Sequence, residues 1–245
     1  MSSESAAPSV VRYAVSDVGW GSFAPLTRAL IKERDLRRVI EIGGGANPSF
    51  PPEEVRALDL DYTLLDISQA ELDKAPPGYK TVCADIASPE LQLDGEHDFA
   101  FSHMLAEHVR DGETFHRNVW RLLRPGGYAL HFFPTLWAPP FVVNRLLPES
   151  AADTLLRWIA PRRDRYRQAK FPARYDWCRG PTKAQIVRLE GLGYRVEAYE
   201  GFFGHERYYQ RLPLIRKLHR MGSRYLSHHP IPDLTSFAMV LLRKS

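Results

Sequence analysis

A chain of 245 residues, 44% apolar and 25% charged, holds enough apolar content for one sizeable core or at most two small ones. The two cysteines, Cys83 and Cys178, lie far apart without a partner motif, which argues against a disulfide framework or a cysteine metal site and suits a reducing cytoplasm. The net charge of +4 is mild, and the most apolar stretch, Tyr128 to Leu147, is interrupted by His131, Pro134, Pro139, Pro140 and Asn144, so a soluble protein without a membrane span is expected.

The opening MSSESAAPSV is small and polar and lacks the basic start and apolar block of a secretory signal; residues 1–20 read as a flexible segment of a single domain spanning 1–245. Ser22 is placed to cap a helix carrying Phe23, Leu26, Leu30 and Ile31 and running to about Arg34. Five strand-like runs follow: Arg38 to Ile42, Tyr62 to Leu65, Thr81 to Ala84, His97 to Phe101 and Tyr128 to Phe133. A helix bearing Val119, Leu122 and Leu123 precedes the fifth and stops at Arg124-Pro125-Gly126-Gly127. Roughly sixty residues then pass before Tyr194 to Tyr199, more than one crossover needs. Substrate-side insertions are therefore expected at 136–180 and 200–235. Within them, Thr182 to Glu190 reads as a helix with exit turns at Gly191 and Gly193, and His205 to His219 as a basic helix broken by Pro213. Ser236 to Leu242 closes the chain as a last strand. Strands alternating with helices predict a mainly parallel sheet covered on both faces.

The most informative motif is Glu41-Ile42-Gly43-Gly44-Gly45-Ala46-Asn47, a glycine turn directly after a strand, where bare backbone lets a ligand approach and φ turn positive. Alone this is also ordinary tight-turn chemistry. Acids at the ends of the next two strands, Asp66 and Asp85, place more weight on a ligand, because open α/β sheets bind at that carboxyl edge. Asp66 has the spacing of a carboxylate accepting both ribose hydroxyls, and Asp85 could accept from an adenine amino group, with Ile67 and Ile86 forming an apolar slot.

With these residues assembled, the sequence resembles the class I S-adenosylmethionine (SAM) dependent methyltransferases over roughly residues 36–135. Glu41 with Gly43, Gly44 and Gly45 is similar to the family's acid and glycine turn, and Asp66 and Asp85 are similar to its ribose and adenine acids. Ser102-His103-Met104-Leu105-Ala106-Glu107-His108-Val109 resembles its stretch after strand four, and Leu122 to Gly127 its turn before strand five. The resemblance implies a Rossmann-like α/β fold with a mainly parallel seven-stranded sheet, SAM as cofactor and S-adenosylhomocysteine as product. It places Glu41, Gly43, Gly44, Gly45, Asp66, Ile67, Asp85, Ile86 and Ser102 around the cofactor. The three prolines in ANPSFPPEEVRALD depart from the pattern and require a short first crossover helix. A nicotinamide dinucleotide would want a further glycine where Pro48 stands.

Methyl transfer to a hydroxyl needs the acceptor held in line and its proton removed. In cyclopropane-forming relatives a Glu-His pair after strand four and a histidine in strand five lie near the methyl group; Glu107, His108 and His131 stand at similar places. His108 is the candidate base with Glu107 orienting it, local packing being the bland alternative, and His131 and then His103 follow. Tyr208, Tyr209, Phe202, Phe203 and His205 could line the acceptor pocket or belong to the core, and Phe132 to Phe141 forms an acceptor wall at its mouth. Tyr13, Trp20 and Phe23 either close over the cofactor or pack on the sheet. No tight cluster announces a metal, although Glu107, His108 and Asp111 could converge.

The expected activity is O-methylation of a small molecule, first a sugar or glycolipid-type acceptor. C- or N-methylation of a natural product is the alternative, and a membrane- or RNA-associated SAM-binding protein stands behind it. The basic run Arg157 to Arg179 suits a solvated face, an anionic substrate or weak membrane-surface contact, but no recognised nucleic-acid motif accompanies it. Oligomeric state is not readable.

Overall fold

The computed structural model describes residues 10–92, 95–136, 173–209 and 211–245. Its elements are β1 (Val10–Val15), α1 (Ser16–Glu33), β2 (Arg38–Ile42), α2 (Pro52–Ala57), β3 (Asp61–Asp66), α3 (Gln69–Leu72), β4 (Lys80–Cys83), β5 (His97–His103), α4 (Gly112–Leu122), β6 (Leu123–Pro134), α5 (Lys183–Glu190), β7 (Tyr194–Phe203), α6 (Pro213–His228) and β8 (Phe237–Lys244). They build one eight-stranded sheet in the order β1-β7-β8-β6-β5-β2-β3-β4. β8 runs antiparallel to both its neighbours, and the other pairs are parallel.

Seven of the strands meet the expectation of an α/β, mainly parallel sheet. The eighth is a correction: residues 10–20, expected to be flexible, form β1 and the start of α1, with Val10 opposite Ala198 and Val15 opposite Phe203. Apolar residues in VVRYAV find a backbone ladder on β7, which no local pattern announces. α1 accordingly starts at Ser16, and Ser22 lies inside it with its hydroxyl donating to Gly19 O at 3.3 Å.

Between β2 and β3 the prolines act as anticipated. Pro52 occupies the first turn of α2, a helix of only six residues, where its missing N–H costs nothing. Thr182 caps α5 by accepting from Gln185 N. Pro213, expected to break a helix spanning His205 to His219, instead begins α6. Proline is disfavoured inside a helix and favoured at its first turn, so the same residue moves the boundary rather than kinking the helix.

The core is continuous across the sheet. Phe99, Phe101, Phe115, Phe132, Phe202 and Tyr199 are fully enclosed. On one face Trp20 and Phe23 of α1 pack against Phe132, with ring centroids 5.2 and 5.9 Å away. On the other, Phe115 and His116 of α4 meet His131. The carboxyl ends of β2 to β7 and the start of β8 share one edge, and the candidate site lies there. The insertion at 136–180 falls mostly outside the described residues, as do Trp137 to Phe141 of the expected acceptor wall and the basic run before residue 173.

Candidate active site at the carboxyl edge

The glycine turn has the geometry its residue types require. Gly43 has φ +82° and Gly45 φ +37°, both left-handed. A Cβ on Gly43 would fall inside the Leu105 side chain, so the turn and the segment after β5 can meet only because that position is bare. A Cβ on Gly45 would stand 2.9 Å from Asp66 Oδ2, which puts the carboxylate directly beside the turn. Asp66 Oδ1 accepts from Ser68 N at 2.9 Å, and partial burial raises its pKa. Beside it Ile67 leaves β3 with its side chain 57% exposed. Asp85 sits at the surface after β4, and its Oδ1 accepts from Ala87 N at 2.9 Å. Asn118 of α4 holds this loop by donating to Ile86 O and Ser88 O at 2.8 and 2.7 Å.

Gly43, Gly45, Asp66, Ile67 and Asp85 thus all lie at or just beyond the carboxyl ends of the neighbouring strands β2, β3 and β4. A bare, left-handed turn beside a strand-end carboxylate and an exposed aliphatic side chain fits a nucleoside carrying a charged tail.

Three residues expected at the cofactor are placed elsewhere. The Glu41 carboxylate is buried beneath the turn and accepts from Ser49 N at 2.9 Å, Ser49 Oγ at 2.5 Å and Tyr62 Oη at 2.5 Å. Burial raises its pKa and these donors oppose the rise. It braces the turn from below. Ile86 is 4% exposed and packs into the core. Ser102 is fully enclosed, its hydroxyl 2.8 Å from His131 Nδ1.

The proton-handling candidates separate sharply. His131 is sealed under α4 against Phe115 and His116, with ring centroids 5.1 and 5.4 Å away. Burial holds its pKa well below the usual histidine range, and His116, pushed down to about 3, adds to the effect. A side chain at 0% exposure cannot meet an acceptor, so His131 is a core residue. His108 behaves otherwise: its side chain is 36% exposed, and Nε2 lies 3.6 Å from Glu107 Oε1. Glu107 is buried and raised to about 8 by desolvation. Its Oε2 has no hydrogen-bond partner among the described residues.

The backbone places this pair. Met104 takes φ +56° as its N–H donates to Phe132 O at 2.8 Å, turning the chain out of β5 toward Leu105 and the glycine turn. The Glu107 carbonyl then accepts from Arg174 N and Tyr175 N at 2.6 and 3.0 Å, so the segment returning from the insertion clamps it. That segment carries left-handed Tyr175 and Trp177, and Asp176 Oδ2 accepts from Gly112 N at 2.7 Å.

His103 lies in an aromatic cage of Trp20, Phe23 and Phe132, and desolvation lowers its pKa. Trp20 and Phe23 therefore pack on the sheet. Phe202 and Phe203 are core residues. His205 is the centre of a network that sequence reasoning saw only as aromatic lining: Nδ1 lies 2.9 Å from Ser236 Oγ and Nε2 3.0 Å from Tyr209 Oη. His219 of α6 accepts from His205 N at 3.0 Å. Burial drives His205 down to about 3. Ser49, Tyr62, His116 and Asn118 were also missed, since support under a loop leaves no spacing signature. Among the described residues no group of three His, Cys, Asp or Glu is arranged to hold a metal ion.

Comparison with known proteins agrees with this geometry. Residues 41–131 match the family model described as a methyltransferase domain. No curated protein matches by sequence. An S-adenosylmethionine-dependent methyltransferase from Mesorhizobium loti shares the fold at TM-score 0.50 and 20% identity, covering 91% of this chain and 99% of that one. Phosphoethanolamine N-methyltransferase 2 of Haemonchus contortus, solved with S-adenosyl-L-methionine, does so at TM-score 0.53 and 14% identity, over 90% of this chain and 52% of that one. The [4+2]-cyclase SpnF has TM-score 0.52 and 16% identity, over 90% and 80%. Residues 41–131 are thus similar to a methyltransferase domain, and these solved structures share the α/β fold that the strand order defines.

Proposed function

We propose that this chain transfers the methyl group of S-adenosylmethionine to a hydroxyl of a small polar molecule, a sugar or glycolipid-type headgroup being the acceptor class. A shared fold leaves the reaction open, as its occurrence in a cyclase illustrates, so the reading rests on the site. The observation that carries it is the Glu107–His108 pair: of the predicted proton-handling residues, His108 presents its imidazole at the carboxyl edge, next to the segment that meets the glycine turn.

SAM supplies an electrophilic methyl group, so the protein must position the acceptor and take its proton. In this reading Asp66 accepts from the ribose hydroxyls, and the tail lies over Gly43 and Gly45. His108 accepts the hydroxyl proton. Glu107, 3.6 Å away, orients the imidazole, and the partly exposed His108 then releases the proton to water. Tyr209, held by His205, supports a polar acceptor wall.

The test has two stages. Calorimetry should show SAM and S-adenosylhomocysteine binding to the wild type and to His108→Ala alike. Methyl transfer is then assayed on a panel of hydroxylated sugars and of amines, and His108→Ala should lower turnover by about 10²–10⁴ on the hydroxyl acceptor alone. Turnover on an amine or carbon acceptor that survives the substitution would move the reaction to N- or C-methylation.

A further inference from the structure

We propose that the outer face of α6 docks this protein on the surface of an anionic lipid bilayer. The helix meets the body through one side: His219 and Ser223 face His205, and Ser223 is its one buried residue. Opposite, Leu214, Leu218, Met221 and Tyr225 recur at spacings of four, three and four, a stripe within a sector of about 60°. Their exposures are 69, 59, 60 and 64%, unusual for four large apolar side chains in one row.

Charge says what covers the stripe. The helix contains Arg216, Lys217, Arg220 and Arg224 and no Asp or Glu, and Lys217 and Arg224 border the stripe. Arg220 is paired with Glu206 at 3.0 Å; the exposed Lys217 and Arg224 remain beside the apolar row. A second copy docked across this face would set cations against cations. A bilayer with anionic headgroups offers the opposite charge and an apolar layer to receive the stripe to a depth of about 5–10 Å. No helix among the described residues is long and apolar enough to cross a membrane, so the contact is at the interface. The inference stands apart from the choice of acceptor atom.

The full chain is sedimented with vesicles of phosphatidylcholine alone and of phosphatidylcholine mixed with phosphatidylglycerol. Binding is expected to the mixed vesicles only and to fall as salt rises. Lys217→Gln with Arg224→Gln should weaken it about 25-fold, at roughly fivefold per cation near an anionic surface. Leu218→Glu with Met221→Glu should weaken it more, with the melting curve and SAM binding unchanged. Three results would overturn the proposal: no binding to mixed vesicles, binding indifferent to both variants, or a dimer that Leu218→Glu dissociates. Displacement of bound protein by single-stranded RNA at equal charge, with Leu218→Glu without effect, would overturn it too by reducing the face to a cation patch.

Discussion

The two ends of the carboxyl edge solve different problems. At the β2–β3–β4 end, the proposed cofactor site rests on what is absent: side chains are missing at Gly43 and Gly45, and Asp66 borders the space left at Gly45. At the β7–β8 end, the proposed acceptor side rests on what is added: His205, Tyr209 and Ser236 are tied to His219 of α6 in one polar network. The first arrangement is specified by residue type at a strand end, the second by contacts between segments distant in sequence. A cofactor common to many reactions suits the first, and an acceptor particular to one reaction suits the second.

The largest test of this division is His108 against His131. His108→Ala should lower kcat on a hydroxyl acceptor by about 10²–10⁴ with cofactor affinity unchanged. His131→Phe should leave kcat within about threefold, since that ring is enclosed; equal losses would dissolve the distinction between the partly exposed His108 and the sealed histidine. Next, Asp66→Ala should weaken SAM binding by about 100-fold in calorimetry, with circular dichroism unchanged, from two lost charge-assisted hydrogen bonds. Retained affinity would remove Asp66 from the cofactor end. Gly43→Ala is smaller in energy: the left-handed φ and the Leu105 contact should cost about 2–4 kcal/mol, seen as a melting point lower by roughly 5–15 °C.

The smallest effect is titration of the core under α4. His116 is depressed from 6.5 to about 3 by burial, so its neutral form is favoured in the folded chain. The associated stability is fully present above pH 6.5 and is lost as pH falls from there toward 3, because only the unfolded chain takes up the proton. The slope is on the order of 1 kcal/mol per pH unit. His116→Phe should reduce it in denaturant titrations between pH 6 and 4, and an unchanged slope would assign the acid sensitivity to His131 and His205. Glu107 acts in the opposite sense: raised from 4.5 to about 8, it stabilises fully below 4.5 and the contribution is lost as pH climbs through 8.

How much was legible follows the same line. The glycine turn and the brevity of α2 could be read because each depends on a backbone constraint written in one residue type. Glu41 was identified correctly as part of the turn but assigned to the ligand, since an acid two residues before a glycine looks the same whether it faces solvent or Ser49 and Tyr62. His131 was ambiguous because polarity does not reveal which face of a strand is covered, and here α4 covers it. β1 was invisible because its partner lies on β7, and Pro213 reads equally as a break or a beginning until packing decides.

That N-terminal strand also sets an order of events during synthesis. Val10 is made well before its neighbour Ala198. At about 5–20 residues per second, β1 waits roughly 10–40 s for β7 to be translated. During that interval its apolar residues have no ladder, and the edge they complete cannot close. A ribosome pause before β7 would therefore prolong the time in which this strand can pair wrongly, and the yield of folded protein should depend on the codons leading up to β7 as well as on its amino acids.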